Sequence, residues 1–155
     1  MFKRILVPLD FSPPSDAALE YARSVAGQYG ASLHLLHVAE DPYRAFYSAE
    51  VFVPQVEGLR EEILTDAARQ LTARLRPSDV TELRATAESI IGTPAGSIVE
   101  YAARRDIDLI VMGTHGRGGM AKLLMGSVAE RVVRMAPCPV LTVREGRHAA
   151  AAAAA

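Results

Sequence analysis

The residues best suited to binding a ligand form a glycine-rich segment, Gly113-x2-Gly116-x9-Gly126-Ser127. Gly113 and Gly116 can adopt positive φ, and without a Cβ they let the backbone approach a ligand closely. Gly126, Ser127 and Val128 stand at a predicted helix start, where unpaired amide N–H groups and the helix dipole favour an anion. This chemistry indicates phosphate binding, while a strand end and helix start without any ligand remain the alternative.

Charged and hydroxyl side chains in the same segment suit a phosphate. Arg117 and Lys122 supply positive charge, and the Ser127 hydroxyl can cap the helix or bond a phosphate oxygen. No Walker-type G-x-x-x-x-G-K-[ST] loop occurs. Residues 116–121 match the loosened dinucleotide fingerprint, but they follow the fourth predicted strand and lack the acidic partner, so we interpret this match as a coincidence.

A second chemical feature is the carboxylate of Asp10, which follows the apolar run Ile5–Val7. The run Leu109–Met112 leads into the glycine-rich segment in the same way. Both runs are apolar on every face, which is typical of central strands in a parallel sheet. Ligands of such sheets bind beyond the carboxyl ends of strands, where the strand order reverses, so the two strand tips predict one crevice.

The elements that position these residues are five strands alternating with four helices. The predicted strands contain Ile5–Val7, Ser32–Ala39, Leu83–Glu88, Asp106–Met112 and Val140–Val143. The first predicted helix ends at Tyr29, the second covers Val56–Arg76, the third begins at Thr93-Pro94, and the fourth covers Ser127–Met135. Residues 40–55 show no period and predict a long excursion. This alternation predicts an α/β fold, a single-domain open parallel sheet with helices on both faces.

Composition narrows the classes of partner. The chain has 155 residues, with 17 Lys and Arg against 18 Asp and Glu, and a net charge of −1. This balance predicts neither nucleic acid nor a membrane as a partner, and we expect a cytoplasmic protein. We expect one domain over residues 1–146, and we interpret residues 147–155, which include the run Ala149–Ala155, as a tail outside it.

The spacing G-2x-G-9x-G-[S/T] resembles the ATP-binding branch of the universal stress protein family. The resemblance extends over stretches from the first strand to the last: Arg4–Ser12, Asp108–Arg117, Gly126–Val132 and Ala136–Leu141. It implies a Rossmann-like sheet of the adenine nucleotide alpha hydrolase-like type with strand order 3-2-1-4-5. It also implies an ATP-binding protein that acts as a dimeric stress-response regulator.

The resemblance further implies roles for individual residues. Adenine would lie in an apolar slot near the ends of strands one and two, and Met112 and Gly113 would flank the nucleotide. Ribose and phosphates would be held after the fourth strand, with a Mg²⁺ ion accompanying the phosphates. The implied binding residues, with Arg117 as nearby positive charge, are Pro8, Leu9, Asp10, Val38, Met112, Gly113, His115, Gly116, Arg117, Gly126, Ser127 and Val128.

Two other functions stay open at this point. A slow ATPase or an ATP-dependent phosphotransfer enzyme would need a positioned base, and Arg117, Lys122 and His115 include no identifiable one, so we assign no catalytic residue. A dimeric interaction module that needs no nucleotide is the third hypothesis, and the intact glycine spacing argues against it.

The last strand, Val140–Val143, carries almost no charge, proline or bulge, and such an edge invites pairing with another chain. We therefore predict a two-fold homodimer through this strand, together with a protein partner of unknown identity. His34 and His37 should face opposite sides of their strand and act as packing residues. Cys138, between two prolines, should be a small buried hydrophobe.

Overall fold

The fold of this chain is given by a computed structural model that describes residues 1–44, 58–114 and 125–144. Strands and helices alternate along it, as predicted. In chain order they are β1 (Arg4–Pro8), α1 (Pro13–Tyr29), β2 (Ser32–Ala39), α2 (Leu59–Arg74), α3 (Pro77–Thr81), β3 (Thr86–Ile91), α4 (Pro94–Arg104), β4 (Leu109–Gly113), α5 (Ser127–Met135) and β5 (Val140–Val143).

All five strands are parallel and lie in the order β3-β2-β1-β4-β5, which confirms the predicted fold class. Leu6 of β1 stands opposite His34 of β2 on one side and Ile110 of β4 on the other. The strand order therefore reverses at β1. Helical connections leave opposite faces of the sheet on the two sides of this point, so a crevice opens at the strand tips.

The sheet is covered on both faces, which explains why the central strands are continuously apolar. On one face Val7, Leu35 and Val111 pack with buried residues of α1 and α2. On the other face Leu6 and Ile110 pack with buried residues of α4 and α5. The faces of α1 and α4 against the sheet are rich in alanine, which lets both helices lie close to it: Ala18, Ala22, Ala26, Ala95 and Ala102.

A buried ion pair fastens α1 to the junction of α2 and α3. Arg23 donates from Nε and Nη2 to the carboxylate of Asp79 at 2.7–3.1 Å, and it also donates to the carbonyl of Arg74 at 2.6 Å. The side chains of Arg23 and Asp79 are only 10% and 2% exposed. Burial alone would raise the pKa of Asp79, but hydrogen bonds from Arg23 and the Arg76 amide outweigh it and hold the pKa below its ordinary value.

Three local predictions are wrong. The third strand is predicted at Leu83–Glu88 but runs from Thr86 to Ile91, because Arg84 has a φ of 47° and the chain is not extended there. The short helix α3 was not predicted, so the structure has one helix more than expected among the described residues. The fourth strand begins at Leu109, later than the predicted Asp106, whose φ is 49°.

Some predictions concern residues outside the described ranges. The excursion over residues 40–55 is described only as far as Arg44, and the tail from residue 147 lies outside the described residues. Of the described helices, none combines the length and the apolar character needed to cross a membrane.

Candidate functional site

Asp10 and the glycine-rich segment, the two predicted parts of the site, lie at the carboxyl ends of the neighbouring strands β1 and β4. The amide of Gly126 donates to the carbonyl of Thr114 at 2.7 Å, and the amide of Thr114 donates to the carbonyl of Val143 at 2.9 Å. The first bond ties Gly126, the third glycine of the spacing, to Thr114, the residue that follows the first glycine, Gly113, at the end of β4. The start of α5 is thereby placed at the tip of the strand that neighbours β1.

Gly113 does not have the positive φ expected of it; among the described glycines only Gly30 and Gly58 do. Its missing side chain has another cause. A Cβ at Gly113 would lie 2.9 Å from the carbonyl carbon of Pro14 and 3.0 Å from its carbonyl oxygen. The first glycine of the motif is therefore required by the packing of α1 against the end of β4.

The start of α5 differs in one respect from the prediction of three unpaired amides. Gly126 is the N-cap, with φ −63° and ψ 151°, and its amide is taken by Thr114. Ser127, Val128 and Ala129 form the first turn, and the helical bonds begin with the amide of Glu130 donating to Gly126 at 2.9 Å. The first-turn amides have no helical acceptor. Ser127 is the first helical residue, so its hydroxyl does not cap the helix.

Asp10 forms a turn at the tip of β1. Its Oδ1 accepts hydrogen bonds from the amide of Ser12 at 3.1 Å and from the Ser12 hydroxyl. Ser12 is itself the N-cap of α1 and makes no side-chain cap bond to that helix. The half-buried carboxylate is thus held beside the beginning of α1, on the neighbouring strand to Gly113.

The residue after Asp10 is strained, and sequence reasoning missed it. Phe11 has a φ of 65°, which residues other than glycine rarely adopt. Its ring stacks on His37 at 4.3 Å between centroids, and the Arg74 guanidinium lies 4.8 Å from the ring centroid. His37 Nδ1 bonds the carbonyl of Leu9 at 2.7 Å. Arg74 comes from α2, far along the sequence, so no local spacing could have linked it to Asp10.

The residues of the proposed apolar slot lie on two faces. Leu9 is buried on the α1 face, and it offers the tip of β1 only its backbone, whose amide donates to Leu36 at 2.8 Å. Met112 and Val38 belong to the opposite face, where Met112 is buried and Val38 is half-buried. Pro8 is buried as the last residue of β1.

The remaining predicted site residues, His115, Gly116 and Arg117, lie outside the described residues, as does Lys122. Among the described residues no group of three or more His, Cys, Asp and Glu could hold a metal ion. Of the predicted site residues that the structure describes, Asp10 follows β1, and Gly113 and the start of α5 lie at the end of the neighbouring strand β4.

The two histidines of β2 face opposite sides, as expected from their spacing. His34 Nδ1 lies 3.3 Å from the Thr86 hydroxyl and 3.5 Å from the Tyr101 hydroxyl. Burial, followed by the positive charges of Arg105 and Arg4, lowers the pKa of His34 against an opposing effect of Glu88. His34 thus packs against Thr86 and Tyr101, whereas His37 packs beside Phe11 on the other side of the strand.

Comparison with known proteins identifies the family of this chain. Residues 1–144 match the Universal stress protein family. This chain belongs to the universal stress protein family. Its relatives include the universal stress protein MJ0531 of Methanocaldococcus jannaschii, 34% identical over 94% of this chain and 84% of the relative. Universal stress protein A homolog 1 of Coxiella burnetii is 35% identical over 92% of this chain and 96% of its own length.

Solved structures share the fold. The structure of MJ0577, another universal stress protein of M. jannaschii, superposes with a TM-score of 0.74 at 29% identity and covers 95% of this chain and 99% of its own. A universal stress protein in complex with cAMP and one from Archaeoglobus fulgidus in complex with dAMP have TM-scores of 0.60 and 0.59. The cAMP complex is 23% identical over 94% of this chain, and the dAMP complex is 22% identical over 92%; each match covers 98% of the solved chain. At these identities the two structures show the shared fold alone.

Proposed function

We propose that this universal stress protein binds an adenine nucleotide, ATP with Mg²⁺, between the tips of β1 and β4, and that it acts as a dimeric stress-response regulator. The observation that carries the proposal is the 2.7 Å bond between Gly126 and Thr114. It sets the first-turn amides of α5 beside the strand reversal, where ligands of parallel sheets bind.

The phosphate end of the nucleotide is assigned to the start of α5. The amides of Ser127 and Val128 stand at the positive end of the helix dipole and lack helical acceptors, which favours an anion there. Ser127 is exposed and can add its hydroxyl as a donor. Because Gly126 has no side chain, a phosphate can approach these amides closely. His115 and Gly116 are assigned to the ribose and phosphates from the resemblance, and Arg117 is assigned as positive charge near the phosphates.

The adenosine end is assigned to Asp10 and the residues around the tips of β1 and β2. A carboxylate accepts hydrogen bonds, so Asp10 suits an adenine amino group or a ribose hydroxyl. Half-buried Val38 offers apolar surface, Met112, whose side chain is buried, is assigned from the resemblance to flank the nucleotide, and Pro8 and Leu9 supply the strand end. No described residues form a metal cage, so the proposal places Mg²⁺ on the phosphates. Proteins of this fold in complex with cAMP and dAMP are consistent with this assignment.

Nucleotide retention by a Gly126 variant tests the site. The backbone of Gly126 (φ −63°, ψ 151°) is open to branched residues, so Gly126→Val should fold while its side chain blocks the phosphate. Gly96→Val is the matched control, because Gly96 is exposed on α4 and a Cβ added there would meet no atom within 4 Å. We expect Gly126→Val to bind ATP about tenfold more weakly or worse, and Gly96→Val to bind normally. Equal affinity in both variants would refute the site.

Mass spectrometry of the small molecule released by denaturing purified protein tests the ligand class. Release of an adenine nucleotide supports the proposal, and protein that neither retains nor takes up ATP, ADP or AMP contradicts it. Incubation of the complex that produces stoichiometric ADP would favour the slow ATPase instead of a purely binding protein. Dimeric protein without any nucleotide would favour the interaction module.

The homodimer is assigned to the outer edge of β5. Within the described residues β5 pairs with β4 alone. Leu141 of β5 is 39% exposed, and the adjoining α5 exposes Val133 and Met135 by 46% and 59%. An unpaired strand edge flanked by exposed apolar side chains is suited to pairing with a second copy.

Light scattering tests this interface. We expect wild-type protein to have the mass of a dimer and Leu141→Glu to shift it towards the monomer, because a buried carboxylate would stand at the interface. The matched control is Val80→Glu, another exposed apolar residue, which lies on α3 away from β5. A wild-type monomer at micromolar concentration would contradict the dimer.

A further inference from the structure

Phe11 joins the site carboxylate of Asp10 to the start of α1, and its backbone is held in an unfavourable conformation. A left-handed φ of 65° at a residue with a Cβ is strained and persists only where surrounding contacts enforce it. The direction of Asp10 depends on this residue, because the Asp10 carboxylate is bonded to Ser12 on the far side of Phe11.

Arg74, the last residue of α2, contacts both Phe11 and the nearby Asp16 of α1. Its guanidinium covers the Phe11 ring at 4.8 Å, and its Nη2 donates to the Phe11 carbonyl at 3.4 Å. Its Nε and Nη2 donate to the carboxylate of Asp16 on α1 at 2.6 and 3.3 Å. A planar guanidinium can combine stacking with a forked carboxylate contact, which an ammonium cannot.

The base of Arg74 is itself fixed. Its carbonyl accepts a 2.6 Å hydrogen bond from Arg23, the residue that forms the buried ion pair with Asp79. The end of α2 is therefore anchored to α1, so Arg74 reaches the Phe11 turn from a rigid position. His37 covers the ring of Phe11 as well and bonds the carbonyl of Leu9 on β1.

We infer that Arg74 is a positioning residue for the nucleotide site: by holding Phe11 it sets the carboxylate of Asp10. The inference rests on the proposed nucleotide function and deepens it. It makes the end of α2 part of the apparatus that determines affinity, although Arg74 itself is assigned no contact with the nucleotide. Arg74 then acts on binding only as long as Asp10 is present to be positioned.

The test measures the Kd of ATP with Mg²⁺ by calorimetry at 10 °C, well below unfolding, for wild type, Arg74→Met, Asp10→Asn and the double variant. Methionine keeps the unbranched apolar part of the side chain and loses the guanidinium with its donors and charge. We expect Arg74→Met to raise the Kd about tenfold in the wild-type background and less than about twofold in the Asp10→Asn background. A residue that only stabilises the fold would lower Tm and leave the Kd unchanged.

Two further variants complete the design. Arg69→Met on the same helix is the matched control, because Arg69 is 79% exposed and pairs with Asp66 three residues earlier on that helix; its Kd should equal that of wild type. Asp16→Asn leaves Arg74 in place but removes its anionic partner, and we expect a rise in Kd of about threefold. This second variant decides the matter if Arg74→Met does not fold.

The outcomes separate the two proposals. Wild-type protein that binds no ATP, ADP or AMP overturns the proposed function and this inference with it. Wild type that binds ATP while Arg74→Met and Asp16→Asn bind equally well overturns the inference alone. Additive effects of Arg74→Met and Asp10→Asn also overturn it, because an Arg74 that acts through Asp10 requires coupling.

Discussion

Replacing Gly113 with alanine separates the packing role of the motif from its role in binding. The added Cβ would lie 2.9 Å from the carbonyl carbon of Pro14 and 3.0 Å from both the carbonyl oxygen and the Cβ of that residue. Carbon atoms in contact prefer about 3.5–4.0 Å, so the end of β4 and the first turn of α1 must move apart by about half an ångström or more. The obstructing atoms are mainly backbone, which cannot swing aside.

The magnitude follows from two opposing terms. Overpacking of this kind costs about 1–3 kcal/mol, and the lower chain entropy of unfolded alanine returns about 0.4–1 kcal/mol. We therefore expect Gly113→Ala to lower the free energy of unfolding by about 1–2 kcal/mol. At roughly 2–4 °C per kcal/mol for a chain of this size, Tm falls by about 2–8 °C.

Urea and thermal unfolding of nucleotide-free protein provide the assay, with nucleotide removed by denaturation and refolding before measurement. Gly96→Ala is the control, because it lies in α4 with open space around it and should gain up to about 1 kcal/mol from helix propensity. The reasoning is refuted if nucleotide-free Gly113→Ala is as stable as wild type. That result would mean that Gly113 serves only the approach of a ligand.

The other predictions concern stability and reactivity. Asp79→Ala removes the buried carboxylate that pairs with Arg23 and leaves Arg23 with the more exposed carboxylate of Glu20, so the free energy of unfolding should fall by up to about 3–5 kcal/mol in urea titrations. The pKa of His34 is lowered in the folded protein. The contribution of His34 to the free energy of unfolding is therefore complete above its unfolded pKa of about 6.5 and is lost as pH falls through the folded pKa. His34→Gln should therefore reduce the loss of stability between pH 7.5 and 5.5. Burial and the charge of Asp108 raise the pKa of the Cys138 thiol, so iodoacetamide at pH 7.5 should alkylate it more slowly in folded than in unfolded protein.

Each of these three predictions has an outcome that would contradict it. For Asp79, the control is the exposed Asp66→Ala, which should leave the free energy of unfolding nearly unchanged, and equal losses in both variants would contradict the buried pair. For His34, an unchanged pH dependence in His34→Gln would assign it to other groups. For Cys138, equal alkylation rates with and without urea would show that burial does not protect the thiol.

The central part of the fold could be predicted because its signals are local. The runs around Leu6 and Ile110 are apolar on every face, and both strands proved to be central neighbours in the sheet. The edge position of the third strand was also predicted, but its boundaries were wrong. Arg84 has a positive φ inside the predicted strand Leu83–Glu88, and the Leu83 carbonyl accepts a hydrogen bond from the amide of Leu33. A dihedral set by such tertiary contacts leaves no periodic signal.

The candidate site could be predicted only where its residues lie in a motif. The spacing from Gly113 to Gly126 predicted that both glycines belong to one site, and Thr114 brings them together by a backbone bond. The packing role of Gly113 depends on Pro14, and Phe11, the residue after Asp10, is contacted by Arg74. These pairs are distant in sequence and meet only after α1 and α2 have packed on the same face of the sheet.

The central claim is that α5 binds the phosphates of an adenine nucleotide at its first turn, beside the tip of β1. It is tested most directly by titrating ¹⁵N-labelled protein with ATP and Mg²⁺ and following the backbone amide resonances. We predict that the amides of Ser127 and Val128 show the largest saturable shifts, accompanied by Asp10. Saturating ATP that leaves these three resonances in place, or that shifts instead the amides along α2, would contradict the account.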